Sequence, residues 1–156
     1  MSTEYTEYTI RPASEADQSA IRNLIRDAGI NPLGIHWSRF LVAVDGADEL
    51  IGCGQVKGHG DGSHELASIA VTRARRGRGV AGDIIKALQK THDVPLWLTC
   101  MDKLIPFYRQ FGFIVVETPD DMPAYFRRAS RFFNFYLALT RGKGRLAVMV
   151  WRDREL

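Results

Sequence analysis

Cysteine is scarce in this chain. Cys53 and Cys100 are the only two in 156 residues, which excludes a disulfide framework and the paired Cys/His spacings of a structural zinc site. Both lie in apolar, strand-like surroundings and are expected as buried free thiols. The histidines, His36, His59, His64 and His92, form no H-E-x-x-H or comparable pairing, so no metal is expected. No apolar run approaches the roughly 20 residues of a membrane span, and no N-terminal stretch resembles a secretory signal. A soluble, cytoplasmic protein is expected. The net charge of +3 is too small to make nucleic acid the expected main partner. Acid is locally absent as well: none occurs from Met122 to Arg152, while Arg127, Arg128, Arg131, Arg141, Lys143, Arg145 and Arg152 are present. Such a basic-aromatic segment reads first as a helix with a solvated basic face, and second as an RNA-binding or acid-binding surface.

What is present is concentrated in one stretch. The apolar run Ile69-Ala70-Val71 ends at Thr72 and is followed by Arg73, Arg75, Arg76, Gly77, Arg78 and Gly79, then by a helical pattern from Val80. A strand, a glycine-rich basic turn and a helix start together make an anion site. The first helix N–H groups have no intrahelical acceptor and carry partial positive charge. Glycines let a phosphate approach them without a Cβ in the way, and arginine suits phosphate oxygens. The ligand is expected to carry phosphates.

The remaining chain is read from periodicity. Tyr8 to Pro12 is a short strand. Ser14 to Asp17 supplies capping residues for a helix carrying Ile21, Leu24 and Ile25, closed by Gly29. Residues 31–37 read as a loop or a short second helix. Arg39 to Val44, Leu50 to Lys57 and His64 to Val71 are strands of an antiparallel meander, joined at Asp45-Gly46 and across residues 58–63. Gly52 and Gly54 suggest a bulge or a close backbone approach. Pro95 to Cys100 is a strand without polar alternation, as in parallel pairing. Asp102 is placed to cap a helix through Phe111, ended by Gly112. Phe113 to Glu117 is a strand. Pro123 to Leu139 is a helix with Tyr125, Ala129, Phe132 and Tyr136 on one face, expected to pack on the sheet, to wall an acceptor pocket or to form a dimer contact. Leu146 to Trp151 closes the chain. The order β-α-β-β-β-α-β-α-β-α-β predicts an α/β fold with a mixed, mostly antiparallel central sheet and flanking helices, over 1–156 as one domain.

Gly77-x-Gly79-x-x-Gly82 also matches the dinucleotide-binding fingerprint, with Asp102 about 20 residues further on. Two features oppose a nicotinamide enzyme: Thr72 to Arg76 separate the strand from the glycines, and an antiparallel meander precedes the turn. A different match covers more of the chain. Arg76-x-x-Gly79-x-Ala81, together with Phe107-Tyr108 and Gly112-Phe113 and the order of elements from Tyr8 to Glu117, resembles the GNAT N-acetyltransferase superfamily.

The resemblance implies a residue-level assignment. Ile69, Ala70 and Val71 would lie along the pantetheine arm of acetyl-CoA, pairing as an added strand would. Arg76, Gly77, Arg78, Gly79, Val80, Ala81 and Gly82 would hold the pyrophosphate. Arg73, Arg75 and Arg78 either reach the ribose phosphate or form a solvated loop. Tyr108 would protonate the leaving thiolate, since a phenol near pKa 10 is close to a thiol. Glu65 would accept the amine proton, directly or through water; a water chain without a dedicated side chain is the alternative. His64 is expected on the opposite strand face. The family's asparagine after the fifth strand is missing here, where Met101 or Asp102 stands. The implied activity is transfer of an acetyl group from acetyl-CoA to a primary amine of a small molecule or peptide, without metal. A non-catalytic CoA-binding regulatory module is the alternative, and a homodimer is possible.

Overall fold

A computed structural model describes residues 7–153. Seven strands form one sheet in the order β1-β2-β3-β4-β5-β7-β6. Its pairings are antiparallel for β1/β2, β2/β3, β5/β7 and β6/β7, and parallel for β4/β5. The mixed α/β architecture with a mostly antiparallel sheet agrees with the expectation. By internal contacts the chain forms two compact units, one ending at Val56 and resuming over Ala67–Thr91, the other comprising Lys57–Leu66 and the chain from His92 onward.

The first unit holds β1 (Tyr8–Pro12), α1 (Gln18–Asp27), β2 (Phe40–Asp45), most of β3 (Leu50–Gly58), the end of β4 (His64–Val71) and α2 (Val80–Lys90). Helix α1 follows a single 3-10 turn over Glu15–Asp17. Asp17 fixes that turn by accepting from the Ser14 amide (2.8 Å) and from the Arg11 guanidinium (2.7 Å). Ile21 and Ile25 of α1 are fully buried against Phe40, Val42 and Val44 of β2 and Cys53 of β3. Residues 31–36 form a loop, and the second helix suggested there is only a 3-10 turn at Trp37–Arg39.

Both readings of the β3 glycines hold. The β2/β3 register passes from Ala43↔Gly52 to Val44↔Leu50, so Ile51 is an extra residue. The glycines also admit α2 closely. A Cβ on Gly52 would stand 3.0 Å from side-chain carbons of Val80 and Ile84, and one on Gly54 would stand 2.5 Å from Ile69 and 2.9 Å from Ile84.

The second unit holds β5 (Leu96–Met101), α3 (Ile105–Arg109), β6 (Ile114–Val115), α4 (Ala124–Thr140) and β7 (Leu146–Trp151). Its core gathers Trp97, Met122, Phe126, Val148 and Val150. Three expectations need correction. Asp102 caps no helix: it opens a 3-10 turn, and α3 is one turn and a half long with Pro106 in its first turn. Strand β6 is two residues rather than five. The third concerns α4, whose expected face turns inward only in its first half, where Tyr125 packs partly buried against the core. Phe126 is the side chain that is fully buried, whereas Phe132 (74% exposed) and Tyr136 (54%) face outward. Packing on the sheet therefore accounts for Phe126 alone among the wholly buried side chains of α4. No described helix is long and apolar enough to cross a membrane.

Candidate functional site

In the first unit, the turn between β4 and α2 is built around left-handed glycines. Gly77 has φ 74° and Gly79, the residue preceding α2, has φ 84°. An L side chain would be strained at either position. Neither has any atom within 4 Å of where a Cβ would stand, so the turn presents bare backbone to open space. The first N–H bonded to a backbone carbonyl after Arg76 is that of Asp83, on Gly79 (3.0 Å). Among the described residues the amides of 77 to 82 find no such acceptor. Val80 and Gly82 are themselves buried. Arg76 staples the turn to its strand, its Nε donating to the Val71 carbonyl (3.1 Å). Arg75 is turned to Asp45 (3.3 Å), which leaves Arg73, Arg76 and Arg78 as exposed cations of the turn. This arrangement fits a diphosphate: unpaired amides at a helix start, no Cβ in front of them, and adjacent guanidiniums.

Strand β4 is irregular where the turn approaches. Ser68 has φ 59° in mid-strand, a conformation that non-glycine residues adopt rarely. The ladder with β5 covers His64↔Leu96 and Glu65↔Trp97; Ile69 to Val71 lie outside it. Ser68 is held by Gln55, whose Nε2 donates to the Ser68 hydroxyl (2.8 Å). Gln55 is completely buried. Its Nε2 also donates to the Gly34 carbonyl (3.3 Å), and its Oε1 accepts from Arg39 (3.2 Å). Gln55 thus ties the 31–36 loop to the distortion in β4. Sequence reasoning passed it over because its partners lie 13 to 21 residues away.

In the second unit, Tyr108 projects from α3 into an aromatic setting, edge-on to Phe107 (5.0 Å) and Phe113 (5.9 Å). Burial, with a smaller contribution from nearby Cys100, pushes its phenol up to about 12. The hydroxyl is therefore a firmer proton holder than the value near 10 expected from sequence. Cys100 is also pushed up, to about 11, by burial and then by Asp102. Both cysteines are buried free thiols, as expected.

Glu65 is buried on β4 and hydrogen-bonded to His59, with Nε2 to Oε1 at 2.9 Å. His59 lies in the β3–β4 connection, which is closed by its amide on the Ser63 carbonyl (2.9 Å) and by the Gly62 amide on its own carbonyl (3.0 Å). Its ring stacks on Tyr125 of α4, with centroids 3.6 Å apart and planes at 15°. Burial, and then the Glu65 charge, raise the Tyr125 phenol. Asp61 joins the same loop to α4: it accepts from the Tyr125 amide (2.9 Å) and from Ser63 (2.8 Å from the amide). Those bonds, that of the Ser63 hydroxyl foremost, hold its carboxyl down at about 2. The sequence places His59 only in the turn across residues 58–63. Its one sequence signal is its placement six residues before a buried carboxylate, and the hairpin geometry is needed to see the contact. Among the described residues no group of three or more His, Cys, Asp or Glu is placed to hold a metal.

The family model for the acetyltransferase (GNAT) domain matches residues 36–115, more than half of the chain. The chain belongs to the GNAT acetyltransferase family. Acyl transfer with a CoA-type cosubstrate is the chemistry that membership supports. No curated protein matches the chain. Solved structures share the GNAT fold at low identity. N-acetylglutamate synthase from Neisseria gonorrhoeae, complexed with coenzyme A and N-acetyl-glutamate, is similar with a TM-score of 0.69 and 20% identity over 97% of this chain. The chain spans 36% of that synthase's length. Rv2747 from Mycobacterium tuberculosis, solved in complex with CoA, aligns at 0.69 and 19% identity over 92% of this chain and 98% of its own. An acetyltransferase of the GNAT family from Staphylococcus aureus aligns at 0.65 and 14% identity, over 96% of this chain and 100% of its own.

Proposed function

We propose that this GNAT protein is an N-acetyltransferase, moving an acetyl group from acetyl-CoA to a primary amine of a small-molecule or peptide acceptor, with residues 1–156 as one catalytic domain. The observation that carries the reading is the turn from Arg76 to Gly82, a diphosphate cradle with unpaired amides at the position of the family's signature. Structural neighbours solved with coenzyme A support the same cosubstrate.

In this reading the amides of Gly77, Arg78, Gly79, Val80, Ala81 and Gly82 hold the pyrophosphate, Arg76, whose own amide donates to the Arg73 carbonyl (3.4 Å), braces the turn, and the backbone of Ile69, Ala70 and Val71 lies along the pantetheine. Acetyl-CoA supplies an activated thioester. The acceptor arrives as an ammonium and must lose a proton before its lone pair can attack. Glu65 accepts that proton, directly or through a water. Tyr108 donates a hydrogen bond to the departing sulfur. With its phenol near 12, full proton transfer to a thiolate of ordinary basicity, around 8.5, is uphill. Tyr108 therefore serves as a fixed donor, and solvent completes the protonation.

Calorimetry with acetyl-CoA and a thiol-release assay across amines, amino acids and peptide N-termini test this together. Saturable binding with turnover of one acceptor class is expected. Binding without any turnover would leave a CoA-binding module, and no binding at millimolar ligand would overturn the cosubstrate.

A further inference from the structure

We propose that His59 is a positioning residue for Glu65: its Nε2–H occupies one carboxylate oxygen and presents the other to the acceptor ammonium. The inference rests on the transferase reading above. In this proposal Glu65 is the ionised partner and accepts only, which puts the proton of the 2.9 Å contact on His59 Nε2. The side chains are 14% and 10% exposed, so the pair is largely withdrawn from water while remaining reachable.

The imidazole is packed on one face and along one edge. Tyr125 lies flat against one face at 3.6 Å. Phe126 meets the ring edge-on at 5.8 Å, and is itself buried and stacked on Trp97. The backbone of His59 is pinned at both its amide and its carbonyl by the loop closure. Asp61 ties that loop to the first turn of α4. Such an arrangement exceeds what a loop histidine needs for packing. It fixes the direction of one N–H, and that N–H points at the group assigned to take the acceptor's proton. The charged and titratable groups that interact with the pair are Asp61 from the same loop, which feels His59, and Tyr125 from α4, which feels Glu65.

The step balances without a proton on His59 changing hands. The N–H bond of the ammonium breaks, its electrons stay on nitrogen, and the proton bonds to the free oxygen of Glu65. The amine lone pair then forms the C–N bond. The C–S bond breaks toward sulfur, the nitrogen releases its second proton to solvent to leave a neutral amide, and the thiolate takes a proton from solvent. His59 keeps the carboxylate oriented throughout.

Two measurements test this. In nitrogen-15 NMR of the free protein, His59 is expected as the Nε2–H tautomer, with that preference lost in Glu65→Ala. An Nδ1–H tautomer in the wild-type protein overturns the proposal whatever the activity. For kinetics, His59→Ala and His59→Gln are compared on an amine the wild type acetylates, after each variant is shown to melt cooperatively and bind acetyl-CoA. His59→Ala is expected to lower kcat roughly tenfold or more, equivalent to about 1.4 kcal/mol, with KM for acetyl-CoA unchanged. His59→Gln, whose amide also donates, is expected to restore most of that loss. Gln no better than Ala, or full activity in Ala, each overturn the positioning role alone. A wild type that acetylates nothing overturns the transferase reading itself.

Discussion

At Tyr108 the aromatic surroundings oppose the phenolate, and the hydroxyl stays protonated across the physiological range. Replacing it by Phe removes a donor without changing volume. The expected result is a fall in kcat of about ten- to a hundredfold, the scale of one lost transition-state donor, with acetyl-CoA affinity by calorimetry unchanged. Gln55 poses the opposite case, a side chain with a structural task. Its amide serves Ser68, Gly34 and Arg39 at once from a fully buried position. Gln55→Leu leaves those partners short of a donor and an acceptor, and is expected to cost about 1–3 kcal/mol, read from urea denaturation. These residues mark where sequence reading ends. Tyr108 and Glu65 could be placed as candidates because a motif fixes their offset from Gly112 and Arg76. Gln55 and His59 could not, because what distinguishes them is a hydrogen bond made across a loop or a sheet, and neither has a fixed offset to its partner.

At the level of elements, strands are legible where an apolar run is bounded by turn residues. β7 (Leu146–Trp151), after Gly142 and Gly144, and β2, β3 and β4, set off at Asp45-Gly46 and across residues 58–63, emerge nearly as read. Helix α4 misled because aromatics occur nearly all round it, so counting apolar positions at helical spacing cannot tell which face meets the sheet. The turn into α2 is legible for a reason that applies to few turns: its conformation needs residues without Cβ. Gly79→Ala puts a side chain at φ 84°, expected to cost roughly 1–2 kcal/mol and to weaken acetyl-CoA binding while leaving kcat at saturation near wild type. Gly54→Ala forces a Cβ to within 2.5 Å of Ile69. Overpacking of this kind is expected to cost about 1–3 kcal/mol, visible as a lowered Tm.

Over the whole chain, several groups are held protonated against their ordinary tendency. Burial pushes Cys53 to about 12, Cys100 to about 11 and Tyr108 to about 12. Tyr8, partly buried and bonded to Asp83, also rises to about 12. For each, the folded value exceeds the unfolded one, so the unfolded chain releases its proton first as pH rises. The associated stability is complete below about pH 9 and is lost progressively toward pH 12. On the acid side, Arg11 foremost holds Asp17 down at about 2, so its contribution is present above pH 3.8 and disappears as pH falls toward 2. A plateau between these limits, with an earlier fall on the alkaline side, is expected from urea midpoints measured at pH 3, 7, 9 and 10.5. Cys53→Ala should shallow the alkaline fall.

The two glycines of β3 have one more implication. Gly52 faces Val80, the first residue of α2, across a gap that a single methyl would close. The height of that helix start above the strand, and with it the seat of the unpaired amides, is set by atoms that are absent. Drift at Gly52 would therefore register as a change in affinity for an anion that the residue never meets. Among related chains, tuning of cosubstrate preference can be sought beneath the helix, on the far side from the ligand.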